Sequence, residues 1–177
     1  MDYEALRAKY KPDTIKYLLV AEAPPEPTVE PRFFYATNVT SHDWLFVYTI
    51  KALYPQATNL SGPTIKALKS RYLARFQKDG FYLIDAVTEP ITQASSSAES
   101  ERIIRQSAAD LIRRIKPLLG HDTKIVLIKA TVYNALYAAL REAGLPVINT
   151  QAIDFPSTGN QRKFITKLQA LLAPHNL

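Results

Sequence analysis

Residues Leu18 to Pro25 read LLVAEAPP, a run of strand formers that meets an acid and then two prolines. Leu18, Leu19 and Val20 have the apolar, partly β-branched character of a strand buried on both faces, while Pro24 and Pro25 cannot donate to a ladder and so end it. Glu22 therefore stands at the carboxyl edge of a strand. In open α/β sheets that edge is where ligands bind, so the acid is either a site residue or a solvated loop carboxylate.

The rest of the chain repeats the pattern. With Ile15 to Ala21 as the first strand, Phe81 to Ile84 reads as a second that again ends at an acid, Asp85. Lys124 to Lys129 reads as a third and Leu145 to Asn149 as a short fourth. Helical spacing marks Asp2 to Tyr10, a helix capped by Asp43, another begun by Ser61-Gly62-Pro63 and closed by Gly80, and a long one from about Ser97 to Leu119 that Gly120 stops. Thr131 to Ala143 and Gln161 to Leu172 complete the set. No internal repeat or interdomain linker interrupts residues 1–177. The alternation predicts a single α/β domain, a three-layer α/β/α sandwich around a mostly parallel four-stranded sheet. Glu22, Asp85 and the loop Asp154 to Asn160 would then meet at one sheet edge.

Composition narrows the class. The apolar fraction is 47% with 21% charged residues, ordinary for a globular chain, and no apolar run approaches the roughly 20 residues of a membrane helix. No membrane partner is expected. A start charged from Asp2 onward is unlike a signal or transit peptide, which gives a cytoplasmic expectation. Cysteine is absent, excluding disulfides, thiolate zinc and cysteine-held iron–sulfur clusters, and the three histidines are scattered, so neither metal nor cofactor is expected. Residues 1–100 carry 11 basic and 11 acidic side chains and residues 101–177 carry 11 and 5, so the excess of +6 suggests a polyanionic partner. Arg102, Arg105, Arg113, Arg114 and Lys116 of the long helix read as its solvated face.

The order of these segments resembles the uracil-DNA glycosylase superfamily. LLVAEAPPEP at 18–27 is similar to that superfamily's first motif, G-E-A-P-G in its iron–sulfur branch, with Glu22, Ala23 and Pro24 matching. FYLIDAVTEP at 81–90 is similar to the strand ending in the base-reading asparagine, with Asp85 at that position. KIVLIKATVYNALY at 124–137 is similar to the strand and helix before the second motif, and FPSTGNQRKF at 155–164 resembles that motif, H-P-S or H-P-A. The likeness spans about residues 15–172. It implies a uracil-DNA glycosylase-like fold and cleavage of the N-glycosidic bond of a damaged or deaminated base, with DNA, single-stranded or damaged duplex, as partner; a monomer is expected. The alternative is a noncatalytic nucleic-acid or nucleotide binder of the same fold.

The chemistry gives each residue a task. Cleavage passes through an oxocarbenium-like sugar, so a carboxylate is needed to stabilise charge and position water, and Glu22 would be that group. The flipped base needs a pocket with an aromatic wall, which Phe33, Phe34 and Tyr35 would supply beside Ala23 and Pro24; the competing reading of FFY is core packing. Asp85 either reads the base or caps its loop. Phe155 stands where the family has a histidine donor, and His42 of Ser41-His42-Asp43 is the candidate to replace it. An ionised Asp85 offers only acceptors, which suits a base edge with N–H donors better than uracil. Pro156, Ser157, Gly159, Asn160 and Arg162 would contact DNA, Gly159 through backbone N–H groups unless it forms an ordinary tight turn.

Overall fold

Three of the apolar runs form strands in the computed structural model of the chain, which describes residues 2–26, 32–39 and 42–175. Pro27 and Ser41, used in the sequence reading, lie outside the described residues. Strands β1 (Tyr17–Ala21), β2 (Phe81–Asp85) and β3 (Lys124–Leu127) pair in parallel in the order β2-β1-β3. Every residue of β1 and β2 is buried, as a parallel sheet covered on both faces requires. Helix α1 (Tyr3–Ala8) precedes β1; α2 (Trp44–Leu53), α3 (Gly62–Ala67) and α4 (Lys69–Lys78) lie between β1 and β2. Helices α5 (Ser97–Gln106) and α6 (Ala108–Ile115) connect β2 to β3, and α7 (Ala130–Glu142) and α8 (Gln161–Leu172) follow. Helix α2 packs on α8, while α5 and α6 pack on α7. No helix among the described residues is long and apolar enough to cross a membrane.

The expected fourth strand is corrected by the structure to a single parallel bridge between Val147 and Ile125. Pro146 accepts from the Ile125 N–H (2.9 Å) but has no N–H to return. Beyond the bridge a side chain takes over the ladder. Asn149 Oδ1 accepts from the Leu127 N–H (2.7 Å) and its Nδ2 donates to the Leu127 carbonyl (3.0 Å). The opposite edge is closed in the same manner, since the Tyr35 hydroxyl accepts from the Leu83 N–H (2.7 Å) and donates to the Leu83 carbonyl (3.1 Å). Two side chains thus satisfy peptide groups that would otherwise be an open, pairing-prone edge. Tyr35, assigned above to the base pocket, is instead a core residue 1% exposed. Tyr35→Phe is expected to lose about 2 kcal/mol, because a buried N–H and carbonyl lose their partner, and a lower urea midpoint at unchanged slope measures it.

Local punctuation follows the sequence with three corrections. Ser61 Oγ accepts from the Thr64 N–H (3.2 Å) as the N-cap of α3, but the helix breaks at Leu68 before α4. The long helix breaks at Ser107, whose hydroxyl donates to the Ile104 carbonyl (2.8 Å). Asp43 occupies the N-cap position of α2 without a side-chain cap bond, because its carboxylate is buried against Lys69 (2.5 Å). Gly80 adopts φ +85, and its carbonyl accepts from the N–H groups of Lys16 and Tyr17 (2.8 and 3.1 Å), which fixes the entry to β1. A Cβ there would stand 2.8 Å from Lys16 Cγ.

Candidate functional site

Strand register decides which side chains meet. Ala21 is level with Asp85, and Val20 with Leu127, so two residues further on Glu22 comes level with Lys129. A charged residue therefore follows each buried apolar run, and all three face one cleft of about 220 Å³. Its wall includes Ala23, Pro25, Phe33, Phe34, Leu45 and Phe155 together with Glu22, Asp85 and Lys129.

Glu22 is held from two sides. Lys129 Nζ donates to Oε2 as an ion pair, and Thr131 Oγ1 donates to Oε1 (3.0 Å). Its side chain is 20% exposed, enough to meet a ligand in the cleft. Lys129 has φ +83 and ψ 140, making it the only non-glycine residue with positive φ among the described residues. A backbone in that region costs of order 1–3 kcal/mol and persists where surrounding structure holds it, commonly at functional sites. Here the strain turns the chain from β3 into α7 while its ammonium remains at the cleft. Sequence reasoning passed over Lys129 and Thr131, although the charged residue directly after IVLI was the same signal used for Glu22 and Asp85.

Asp85 is buried and accepts from Arg7 Nη2 (2.6 Å). Burial raises its pKa more strongly than Arg7 lowers it, and the carboxyl is pushed up to about 6. Burial opposes the Arg7 charge too, but Asp85 and Glu4 outweigh it and hold the guanidinium above its ordinary value. Arg114 bonds the carbonyls of Asp85 (3.2 Å) and Ala86 (2.6 Å) and pairs with Asp110 (2.9 Å). The structure therefore corrects its placement on a solvated face: it clamps the turn after β2. Asp85 is no loop cap: its carboxylate is held by Arg7, and the residue lines the cleft.

The remaining predicted residues divide. Glu22, Ala23, Phe34, Asp85 and Phe155 come together with Phe33, whereas Pro24 is buried outside the cleft lining. His42 is not brought to Glu22. It is exposed, stands edge-on to Trp44 with ring centroids 5.2 Å apart, and lines a separate cavity. In the second-motif loop Pro156 is buried and Ser157 accepts from the Asn160 N–H (3.0 Å). Gly159, at φ +86, donates its N–H to Gln161 Oε1 (3.0 Å), so that N–H is engaged within the turn rather than presented to phosphate. Arg162 is exposed, and Lys167 ties the loop to α8 through Asp154 (2.8 Å). Comparison with protein-family models, with curated proteins and with solved structures finds no match.

Proposed function

We propose that the strand-end cleft is the active site of a DNA glycosylase with a uracil-DNA glycosylase-like fold, acting on a damaged or deaminated base flipped from its stack. The observation that carries this reading is the meeting of Glu22, Asp85 and Lys129 at an aromatic-walled cleft. Phe155, Leu45 and Ala23, all half-buried, supply apolar surface for a planar base beside the buried Phe33 and Phe34. Glu22 orients water toward the anomeric carbon and takes its proton as the glycosidic C–N bond breaks toward an oxocarbenium-like sugar. Lys129 and Thr131 hold that carboxylate in place. The bonding electrons leave with the base, and the Lys129 ammonium supplies the positive charge toward the departing anion that Phe155 cannot.

Asp85 makes base choice depend on pH. Its carboxyl carries a proton below about 6 and becomes an acceptor above it. Uracil, whose carbonyl oxygens need donors, is therefore expected to be excised poorly at neutral pH and better in acid; a base presenting N–H donors follows the opposite course. The ratio of single-turnover rates for two such bases cancels the titration of groups shared by both reactions. A ratio flat across pH 5 to 8 would remove Asp85 from base reading. A noncatalytic binder is the second reading, favoured by the ion pair that neutralises Glu22. Abasic-site formation on oligonucleotides separates the two.

A further inference from the structure

The first turn of α2 has two different sides. Leu45 faces the strand-end cleft, whereas Trp44, Val47 and Tyr48 line a second, open cavity of about 320 Å³ together with His42, Asp43, Gly62, Pro63 and Lys66. Trp44 and Tyr48 are four residues apart, so the helix places both rings on one face, and both are only half-buried. The Lys51 ammonium lies 6.0 Å from the Tyr48 ring centroid. One buried side chain links the walls of the two cavities. Lys69 Nζ donates to Asp43 Oδ2 (2.5 Å) at the second cavity and to the Phe33 carbonyl (3.2 Å) at the cleft wall.

Charge identifies the occupant. Lys66 lines this cavity, Lys51 stands by the Tyr48 ring, and the one acid of the lining, Asp43, is held by Lys69, so the surroundings of the cavity are cationic. Residues 42–79 carry six basic side chains against Asp43 and Asp79, so the overall evenness of the first 100 residues conceals a basic segment. Aromatic rings at the mouth of a cavity within cationic helices match a base with its phosphates, since every base offers a π-face and the backbone offers negative charge.

We propose that this second cavity stacks one nucleobase of a single-stranded nucleic acid, the neighbour of the nucleotide whose base enters the cleft. Its adjacency to a target base rests on the function proposed above; its binding of nucleic acid does not. Trp44 is the only tryptophan in the chain, so its fluorescence reports this site alone. Titration with oligodeoxythymidylate or oligouridylate is expected to quench it along the same curve as the anisotropy of the labelled strand, with an affinity that falls steeply as salt rises, the tighter probe naming the sugar. Trp44→Ala is expected to weaken binding roughly tenfold, and Trp44→Phe to restore it to within about twofold, because a ring and not the indole itself is required. Strand binding without quenching overturns the proposal, as does equal quenching by polyglutamate, which would make the cavity a groove for acidic peptide. Quenching without abasic-site formation leaves this site standing and removes only the glycosylase reading. Absence of binding at low salt overturns both.

Discussion

Glu22→Gln is expected to lower base excision by about a hundredfold to ten-thousandfold. Glutamine preserves the shape of the side chain and can still accept from Thr131, but it carries no charge to stabilise the sugar cation and is too weak a base to take a proton from water. It also leaves Lys129 without its counter-ion, which adds repulsion toward an oxocarbenium centre. The fold should be little affected, because Glu22 lies past the end of β1 and is partly exposed. Nucleic-acid affinity should hold or rise slightly, since a carboxylate contributes nothing favourable to phosphate. Single-turnover abasic-site formation measures the loss, and undiminished excision would take Glu22 out of the mechanism.

Arg7→Met is expected to cost about 3–5 kcal/mol, the largest stability effect predicted for this chain, because it leaves Asp85 buried without its cation. The cost should depend on pH in a definite direction. In the native protein Asp85 titrates near 6, above its ordinary 3.8, so between those values the folded state keeps a proton that the unfolded state releases. The stability this confers is fully present below about 3.8 and lost as pH rises through about 6. Without Arg7 the carboxyl moves higher still, and the variant's deficit should be smallest in acid and grow above about pH 6. Urea midpoints across that range test it; a deficit independent of pH would mean that Asp85 is not the charge Arg7 compensates. The same pair makes Asp85→Asn a poor probe of base reading. It would leave the buried Arg7 guanidinium with the exposed Glu4 as its one carboxylate partner, while its Nε has no hydrogen-bond partner.

The sheet and the cleft were legible where the signal was local. LLV, FYLI and IVLI are apolar runs ended by charge or proline, and each forms a strand whose carboxyl end opens on the cleft. The fourth strand was misread because Leu145 to Asn149 has the apolar content of a strand, while Pro146 and the Asn149 carboxamide make something shorter from it. Asp43 reads as a cap because capping is local; its partner Lys69 lies 26 residues away. Arg7 and Asp85 are separated by 78 residues, and nothing in MDYEALRAKY marks one arginine as destined for the interior. Tyr35 is the instructive case. An aromatic run predicts burial, but only the register of β2 reveals that its hydroxyl serves the Leu83 peptide groups rather than a ligand.

The most direct test of the central claim is a time course of abasic-site formation by the unaltered protein on single-stranded and mismatched duplex oligonucleotides carrying uracil, hypoxanthine or xanthine, with Glu22→Gln alongside. The cleft predicts excision of at least one of these bases at neutral pH, and its disappearance in the variant. Abasic sites from none of them, by a protein that nevertheless binds the same strands, would contradict it and make the cleft a binding site alone.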